Sequence, residues 1–278
     1  MKPCTRKPLK KETAYTDSFG FEWNRFEVFR PKEDEAVFRV KTGFSPEQLR
    51  GKRVLDAGCG SGRYSAVAAK WGAQVTAMDL SQAVRKAFQI AAPLGTRCIQ
   101  GDLLNPPFRA QSFDVVFSIG VLHHTPDAHK AFLEIADLVK PGGRLAVWVY
   151  RKNTWPQEFL NSLLRTFTTR LPTAWLYRFS HLGAFLGGIP LLKQILGRIV
   201  NLGSTHPDFR MRLCDAFDWY SPKYQSHHTL EEVSRWFEEA GFSDLTCLRP
   251  EKRGRFYDWF YRHNLLIGSG VNISGIKK

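Results

Sequence analysis

Three glycines at alternate positions constrain this chain most. Residues 53–65 read Arg-Val-Leu-Asp-Ala-Gly-Cys-Gly-Ser-Gly-Arg-Tyr-Ser. Val54 and Leu55 form a short apolar run, Asp56 follows, and Gly58, Gly60 and Gly62 lead into a periodic segment. That pattern is a buried strand passing through a glycine turn into a helix. Glycine tolerates unusual dihedrals there and lets a ligand approach the main chain with no Cβ in the way. The G-x-G-x-G spacing differs from the G-x-G-x-x-G of dinucleotide binders, and no phosphate-gripping lysine follows it. A carboxylate just before the loop repels a pyrophosphate and suits a cationic ligand.

The segments after the turn alternate between strand and helix. Apolar runs at 53–56, 74–78, 96–100, 113–119 and 145–150 predict five strands. Between them, Ala83, Ala87, Ile90 and Ala91 share one helix face behind Ser81 as its cap. Thr125-Pro126 predicts the start of a helix over 127–140, which Lys140-Pro-Gly-Gly143 should stop. Short apolar strands separated by helices predict an α/β fold with a parallel sheet covered on both faces. Ligands in such sheets bind beyond the carboxyl ends of the strands. Asp79, about 20 residues past the glycine turn, stands where an acidic side chain accepts hydrogen bonds from a ribose diol.

Asp-Ala-Gly-Cys-Gly-Ser-Gly closely resembles the first motif of class I S-adenosylmethionine-dependent methyltransferases, especially the branch with the ubiquinone and menaquinone C-methylases. The resemblance continues through Asp79, Asp102 and Leu122-His123-His124 and covers roughly residues 50–150. It implies a cofactor, S-adenosyl-L-methionine, and leaves the substrate open. It also implies a Rossmann-like, doubly wound, seven-stranded sheet, mostly parallel with an antiparallel last strand, completed by strands near 243–248 and 265–276. The cofactor contacts it implies are Asp56, Gly58, Cys59, Gly60, Tyr64, Asp79, Leu80, Asp102, Leu103 and Ser118. Asp56 and the carbonyls near Gly58 would face the methionine ammonium, and Asp102 the adenine amino group. The aromatic stretch at 18–29 is similar to the segment that caps the cofactor in this branch, with Trp23 and Phe26 covering the methionine end.

Methyl transfer asks a protein chiefly to align nucleophile, methyl carbon and sulfur and to exclude water. A base is needed only where the nucleophile must lose a proton. His123 and His124, just past the fourth strand, are the candidate catalytic residues, since imidazole titrates near neutral pH. Tyr150, Tyr220, His227 and His228 are candidates for the substrate pocket. Asn105-Pro-Pro-Phe108 spells a signature of nucleic-acid amino-methylating enzymes, but it follows the third strand and not the fourth, so it is read as a turn. The five cysteines are scattered and show no C-x-x-C spacing. They predict reduced thiols, a cytoplasmic setting and no metal site.

The domain organisation expected is a basic N-terminal arm and cofactor cap (1–50), a cofactor-binding core (51–150), an inserted helical lid (151–215) and a C-terminal part completing the sheet (216–278). Apolar residues recur at helical spacing through the lid, among mostly basic charges, as in Phe159, Leu163, Phe167 and Arg165, Arg170, Arg178. Such a segment fits a hydrophobic acceptor or peripheral contact with the inner face of an anionic membrane. No secretory signal is recognised at the basic start, and no apolar run is long enough to span a bilayer. A formal net charge of +14 speaks to association, not to chemistry. The function expected is methylation of a small-molecule or lipid-like acceptor, with carbon, oxygen or nitrogen undecided. RNA modification is the alternative supported by charge, and a non-catalytic cofactor-binding subunit is a third.

Overall fold

A computed structural model describes residues 19–20, 29–152, 155–189, 208–248 and 270–278. Helix α1 (Pro31–Thr42) precedes β1 (Arg53–Ala57), α2 (Arg63–Lys70), β2 (Gln74–Asp79), α3 (Val84–Ala91), β3 (Arg97–Gln100) and β4 (Phe113–Ile119). A 3₁₀ turn (Leu122–His124), α4 (Ala128–Asp137) and β5 (Val139–Tyr150) follow. Helices α5 (Trp155–Thr168), α6 (Thr173–Leu186) and α7 (Phe209–Tyr220) then interrupt the alternation, before α8 (Leu230–Glu239), β6 (Phe242–Cys247) and β7 (Gly270–Lys277).

The sheet order is β3-β2-β1-β4-β5-β7-β6. Strands β1 to β5 pair in parallel, and β7 is antiparallel to both its neighbours. This is the mostly parallel, doubly wound sheet the sequence predicts. Successive side chains of a strand point to opposite faces, and here both faces are covered. Val54 joins Phe38, Tyr64, Val67 and Phe117 on the side of α1 and α2. Leu55 joins Val116, Phe132, Ile135 and Phe237 on the side of α4 and α8. Burial on both faces is why the central strands β1 and β4 are largely apolar. Strand order reverses between β1 and β4, which opens a crevice at their carboxyl ends.

Several local expectations are corrected. Thr125 does not cap the helix after β4; its hydroxyl donates to the Leu122 carbonyl at 2.7 Å and closes the 3₁₀ turn. Asp127 is the cap, accepting from the Lys130 amide at 2.9 Å. Lys140-Pro-Gly-Gly143 stops no helix but lies inside β5, where pairing jumps from Phe113↔Val139 to Val115↔Arg144. A bulge absorbs residues that a regular ladder would not accept. Trp23, Phe26 and residues 265–269 of the expected last strand lie outside the described residues.

The glycine turn is held by steric necessity. Gly62 has φ +81°, and a Cβ there would sit 2.7 Å from the Ala87 Cα. Gly62→Ala should therefore cost about 2–3 kcal/mol, combining left-handed strain with displacement of α3. Urea denaturation would read this, and a loss below about 0.5 kcal/mol would contradict the packing argument.

Candidate active site

A cavity of about 200 Å³ opens at the carboxyl ends of β1, β2 and β4. Its floor is the glycine turn. The Gly58 and Cys59 amides both donate to the Met78 carbonyl, at 2.8 and 2.9 Å, which ties the turn to β2. Gly58 has φ +90°, and a Cβ there would collide with the Val121 side chain. Asp79 organises the next wall. Its Oδ2 accepts from the Gly60 amide at 2.8 Å, while Oδ1 accepts from the Ser81 amide and hydroxyl at 2.8 and 2.7 Å. Asp102 accepts from the Leu104 amide at 2.9 Å and so shapes the loop after β3. Leu80, Leu103 and Tyr64 complete this end of the cavity.

Three polar atoms of residues lining the cavity are buried with no partner among the described residues: Ser61 Oγ, Tyr64 Oη and His124 Nε2. Buried polar groups are nearly always hydrogen-bonded. Unpartnered ones around one cavity match a ligand with polar groups of its own.

Two expected cofactor contacts lie beneath the cavity, not on its wall. Asp56 accepts from the Ser65 hydroxyl at 2.5 Å, and burial pushes its pKa up to about 7. Ser118 is fully buried and donates to the Ala57 carbonyl at 2.8 Å, clamping β4 to β1. Both sit on strands whose side chains at these positions turn into the protein, so they brace the turn.

The two histidines are separated by the 3₁₀ turn. His123 is fully buried and outside the cavity wall; its Nδ1 accepts from the Tyr150 amide at 3.3 Å, and its ring stacks on Tyr150 at 3.8 Å. Burial and then the neighbouring His124 hold its pKa well below the ordinary value, so it is no base for a ligand in the cavity. His124 does line the cavity. Its Nδ1 lies 3.1 Å from the Tyr224 carbonyl, which fixes that nitrogen as the donor and leaves the lone pair on Nε2. Burial lowers its pKa to about 3.

Of the expected substrate residues, only Tyr150 reaches the cavity, with its hydroxyl donating to Asp218 at 2.8 Å. His228 is occupied at both nitrogens, by Glu232 and by the Ser226 hydroxyl, each at 2.8 Å. His227 pairs with Glu158 at 2.6 Å. Tyr220 lies off the wall, and burial raises its phenol pKa.

Sequence reasoning missed the opposite wall. Lys41 comes from α1, and Met211, Cys214, Asp215 and Asp218 come from α7. The Lys41 ammonium lies 3.6 Å from the Trp148 ring centroid, and burial lowers its pKa to about 7. No motif marks these positions. The one available signal was a carboxylate among aromatics at Phe217-Asp218-Trp219-Tyr220. Among the described residues no group of His, Cys, Asp and Glu side chains could hold a metal ion.

Comparison with known proteins agrees with this geometry. Residues 55–147 match the family model of a methyltransferase domain. The ubiquinone biosynthesis O-methyltransferase of Coxiella burnetii is 31% identical over 159 residues, covering 55% of this chain and 67% of that protein. The protein of the same name from Pseudomonas aeruginosa is 32% identical over 147 residues, covering 51% and 62%. Among solved structures, the Bacillus subtilis YcgJ protein superposes with a TM-score of 0.54 at 17% identity, covering 89% of this chain and 99% of that one. A geranyl diphosphate methyltransferase in complex with GPP and sinefungin gives 0.51 at 15% identity, covering 89% and 78%. At such identities the structures share the fold. The chain belongs to the class I S-adenosylmethionine-dependent methyltransferases. It is an enzyme of that class, and S-adenosyl-L-methionine is its cofactor.

Proposed function

We propose that this methyltransferase acts on a small, hydrophobic, lipid-like acceptor. The observation that carries the reading is the continuity of one cavity from the glycine turn and Asp79 to an aromatic end formed by Phe19, Trp148 and Tyr150. The relatives named for ubiquinone biosynthesis support an acceptor of that kind. Gly58, Cys59 and Gly60 would hold the methionine part of the cofactor, Asp79 the ribose diol, and Asp102 the adenine edge, with Leu80 and Leu103 against the ring. Tyr64 would meet it through its unpartnered hydroxyl. When bound, the cofactor supplies a methyl group made electrophilic by the positive sulfur. The chain's own part is to orient the acceptor against the aromatic wall and to keep water out. His124 serves as a hydrogen-bond acceptor through Nε2, because protonation at a buried site is strongly disfavoured.

The described helices α5 and α6 of the expected lid are proposed to cover the cavity and to rest on an anionic membrane; residues 153–154 and 190–207 of that segment lie outside the described residues. On α5, Trp155, Phe159, Leu163 and Phe167 recur every fourth residue and all are exposed, Trp155 at 78%. On α6, Trp175, Phe179, Leu182 and Phe185 are exposed likewise. Arg178 lies over the Trp175 ring at 5.3 Å and Arg170 is exposed between the two helices, giving the segment the apolar and basic character that anionic bilayers attract. Among the described residues no helix is long and apolar enough to cross a membrane, so the contact proposed is peripheral. Replacing Phe159, Phe167, Leu182 and Phe185 with serine should reduce sedimentation with phosphatidylglycerol vesicles at least about tenfold, roughly 1.4 kcal/mol. Cofactor affinity should stay within about twofold. Unchanged sedimentation would remove the membrane from this reading.

The test of the function itself is transfer of label from methyl-labelled cofactor to separated lipid, polar and RNA fractions of a lysate. Label in the lipid or small-molecule fraction is expected. Label in RNA would favour the alternative, which has only the net charge behind it. Cofactor binding with no label anywhere would leave a non-catalytic subunit.

A further inference from the structure

The aromatic end of the cavity holds a carboxylate with no part in the cofactor contacts proposed above. Tyr150, the last residue of β5, donates its hydroxyl to Asp218 Oδ2 at 2.8 Å. Its ring is held on both sides, stacked on His123 at 3.8 Å and on Trp219 at 4.6 Å. Asp218 is half-buried and lines the cavity, and its Oδ1 has no hydrogen-bond partner among the described residues. The His124 ring meets the same tyrosine edge-on at 5.3 Å, with the bare lone pair on Nε2. One rigid aromatic ring therefore separates two hydrogen-bond acceptors at the cavity wall, a carboxylate oxygen and a neutral imidazole nitrogen. Such a wall recognises a donor, and a carboxylate can also remove its proton.

We propose that Asp218 is the catalytic base, taking the proton of an aromatic hydroxyl acceptor at Oδ1, with Tyr150 as its positioning residue. The inference rests on the methyltransferase reading and adds the acceptor atom and the base. In the step, the acceptor O–H bond breaks and its proton passes to Asp218. The oxygen's electron pair forms the bond to the methyl carbon while the carbon–sulfur pair stays on sulfur. Asp218 then returns the proton to solvent. A neutral amine would attack through its own lone pair and need no such base beforehand.

The surroundings suit the task. The charged and titratable groups acting on Asp218 come from four elements: Tyr150 on β5, Arg165 on α5, Arg63 on α2 and Lys41 on α1. Asp215 and Tyr220 share its helix. Arg165 is fixed by the Trp219 and Pro222 carbonyls at 2.7 and 2.5 Å, so its charge stays beside the site. Burial pushes the Asp218 pKa up to about 6, while Tyr150 and the three cations oppose the rise. A base titrating just below neutral is ionised at pH 7 and better matched to a phenol than an imidazole held near 3.

The test uses 4-propylphenol, its methyl ether 4-propylanisole, and 4-propylaniline as probes. In calorimetry on protein saturated with S-adenosylhomocysteine, the phenol should bind at least about tenfold tighter than the ether, and Asp218→Asn should abolish that preference. With S-adenosylmethionine, label should enter the phenol in preference to the aniline, and Asp218→Asn should lower kcat at least about thirtyfold. The wild-type rate should rise with pH through a limb near 6. Tyr150→Phe, which removes a stabilising donor from the carboxylate, should move that limb to higher pH. Turnover by the Asp218→Asn variant within about threefold of wild type, a limb unmoved by Tyr150→Phe, preference for the aniline, or no label in the phenol would each overturn the proposal. Absence of S-adenosylhomocysteine binding by the wild type would instead bring down the methyltransferase reading on which it stands.

Discussion

Alanine in place of Asp79 should raise the dissociation constant for S-adenosylhomocysteine at least about a hundredfold, close to 3 kcal/mol. Both carboxylate oxygens are already engaged with the protein, one by the Gly60 amide and the other by the Ser81 amide and hydroxyl. Each oxygen keeps lone-pair capacity for a ribose hydroxyl. Truncation would thus remove the proposed ribose contacts and release the glycine turn together. Losing hydrogen bonds to an ionised group costs about 1.5–3 kcal/mol each. Asp79→Asn separates the two effects, because its amide oxygen can still accept from one side of the turn. Calorimetry beside a thermal melt would check this, and an alanine variant binding within about threefold of wild type would refute the placement of the ribose.

Among the buried groups that link stability to pH, His124 and Asp56 pull in opposite directions. His124 has a folded pKa depressed to about 3. Its contribution is present above its unfolded value of about 6.5 and is lost as pH falls from there, by about 2 kcal/mol between pH 7 and 5. Asp56 has a folded pKa raised to about 7. Its contribution is greatest below its unfolded value of about 3.9 and is lost as pH rises through 7, so it gains about 2 kcal/mol over the same interval. These two contributions nearly offset one another. Relative to wild type, His124→Asn should gain stability on going from pH 7 to 5, and Asp56→Asn should lose it. Urea denaturation at the two pH values reads the slopes; parallel curves for both variants would show that these groups titrate normally.

The part of the site that was legible in the sequence is the part built from consecutive residues. The glycine turn, Asp79 and Asp102 occur at strand ends, and strand ends are visible as the limits of apolar runs. The side-chain direction at a given position was less legible. His123 and His124 are adjacent, yet the 3₁₀ turn sends one into the core and the other to the cavity. Asp56 has a motif residue's spacing, but its strand turns it toward Ser65. Lys140-Pro-Gly-Gly143 carries every local mark of a helix stop, and tertiary pairing with β4 overrides them. Lys41 and the carboxylates of α7 could not be found by spacing at all. They reach the cavity from helices roughly a hundred or more residues apart in the chain, and only packing brings them together.

Helix α7 has two allegiances. One side supplies Asp215 and Asp218 to the cavity. The other side, through Leu213 and Phe217, shares a small separate core with Leu176 and Ala184 of α6, Cys214 touching both core and cavity, and the Arg212 guanidinium holds the Ala184 carbonyl at 2.9 Å. The exposed aromatics of α6 stand on the far side of that core. One small core therefore joins the exposed aromatic surface of α6 to the helix that carries Asp218 into the cavity wall. Were the proposed membrane contact to form, a load on that surface would reach Asp218 through this same core.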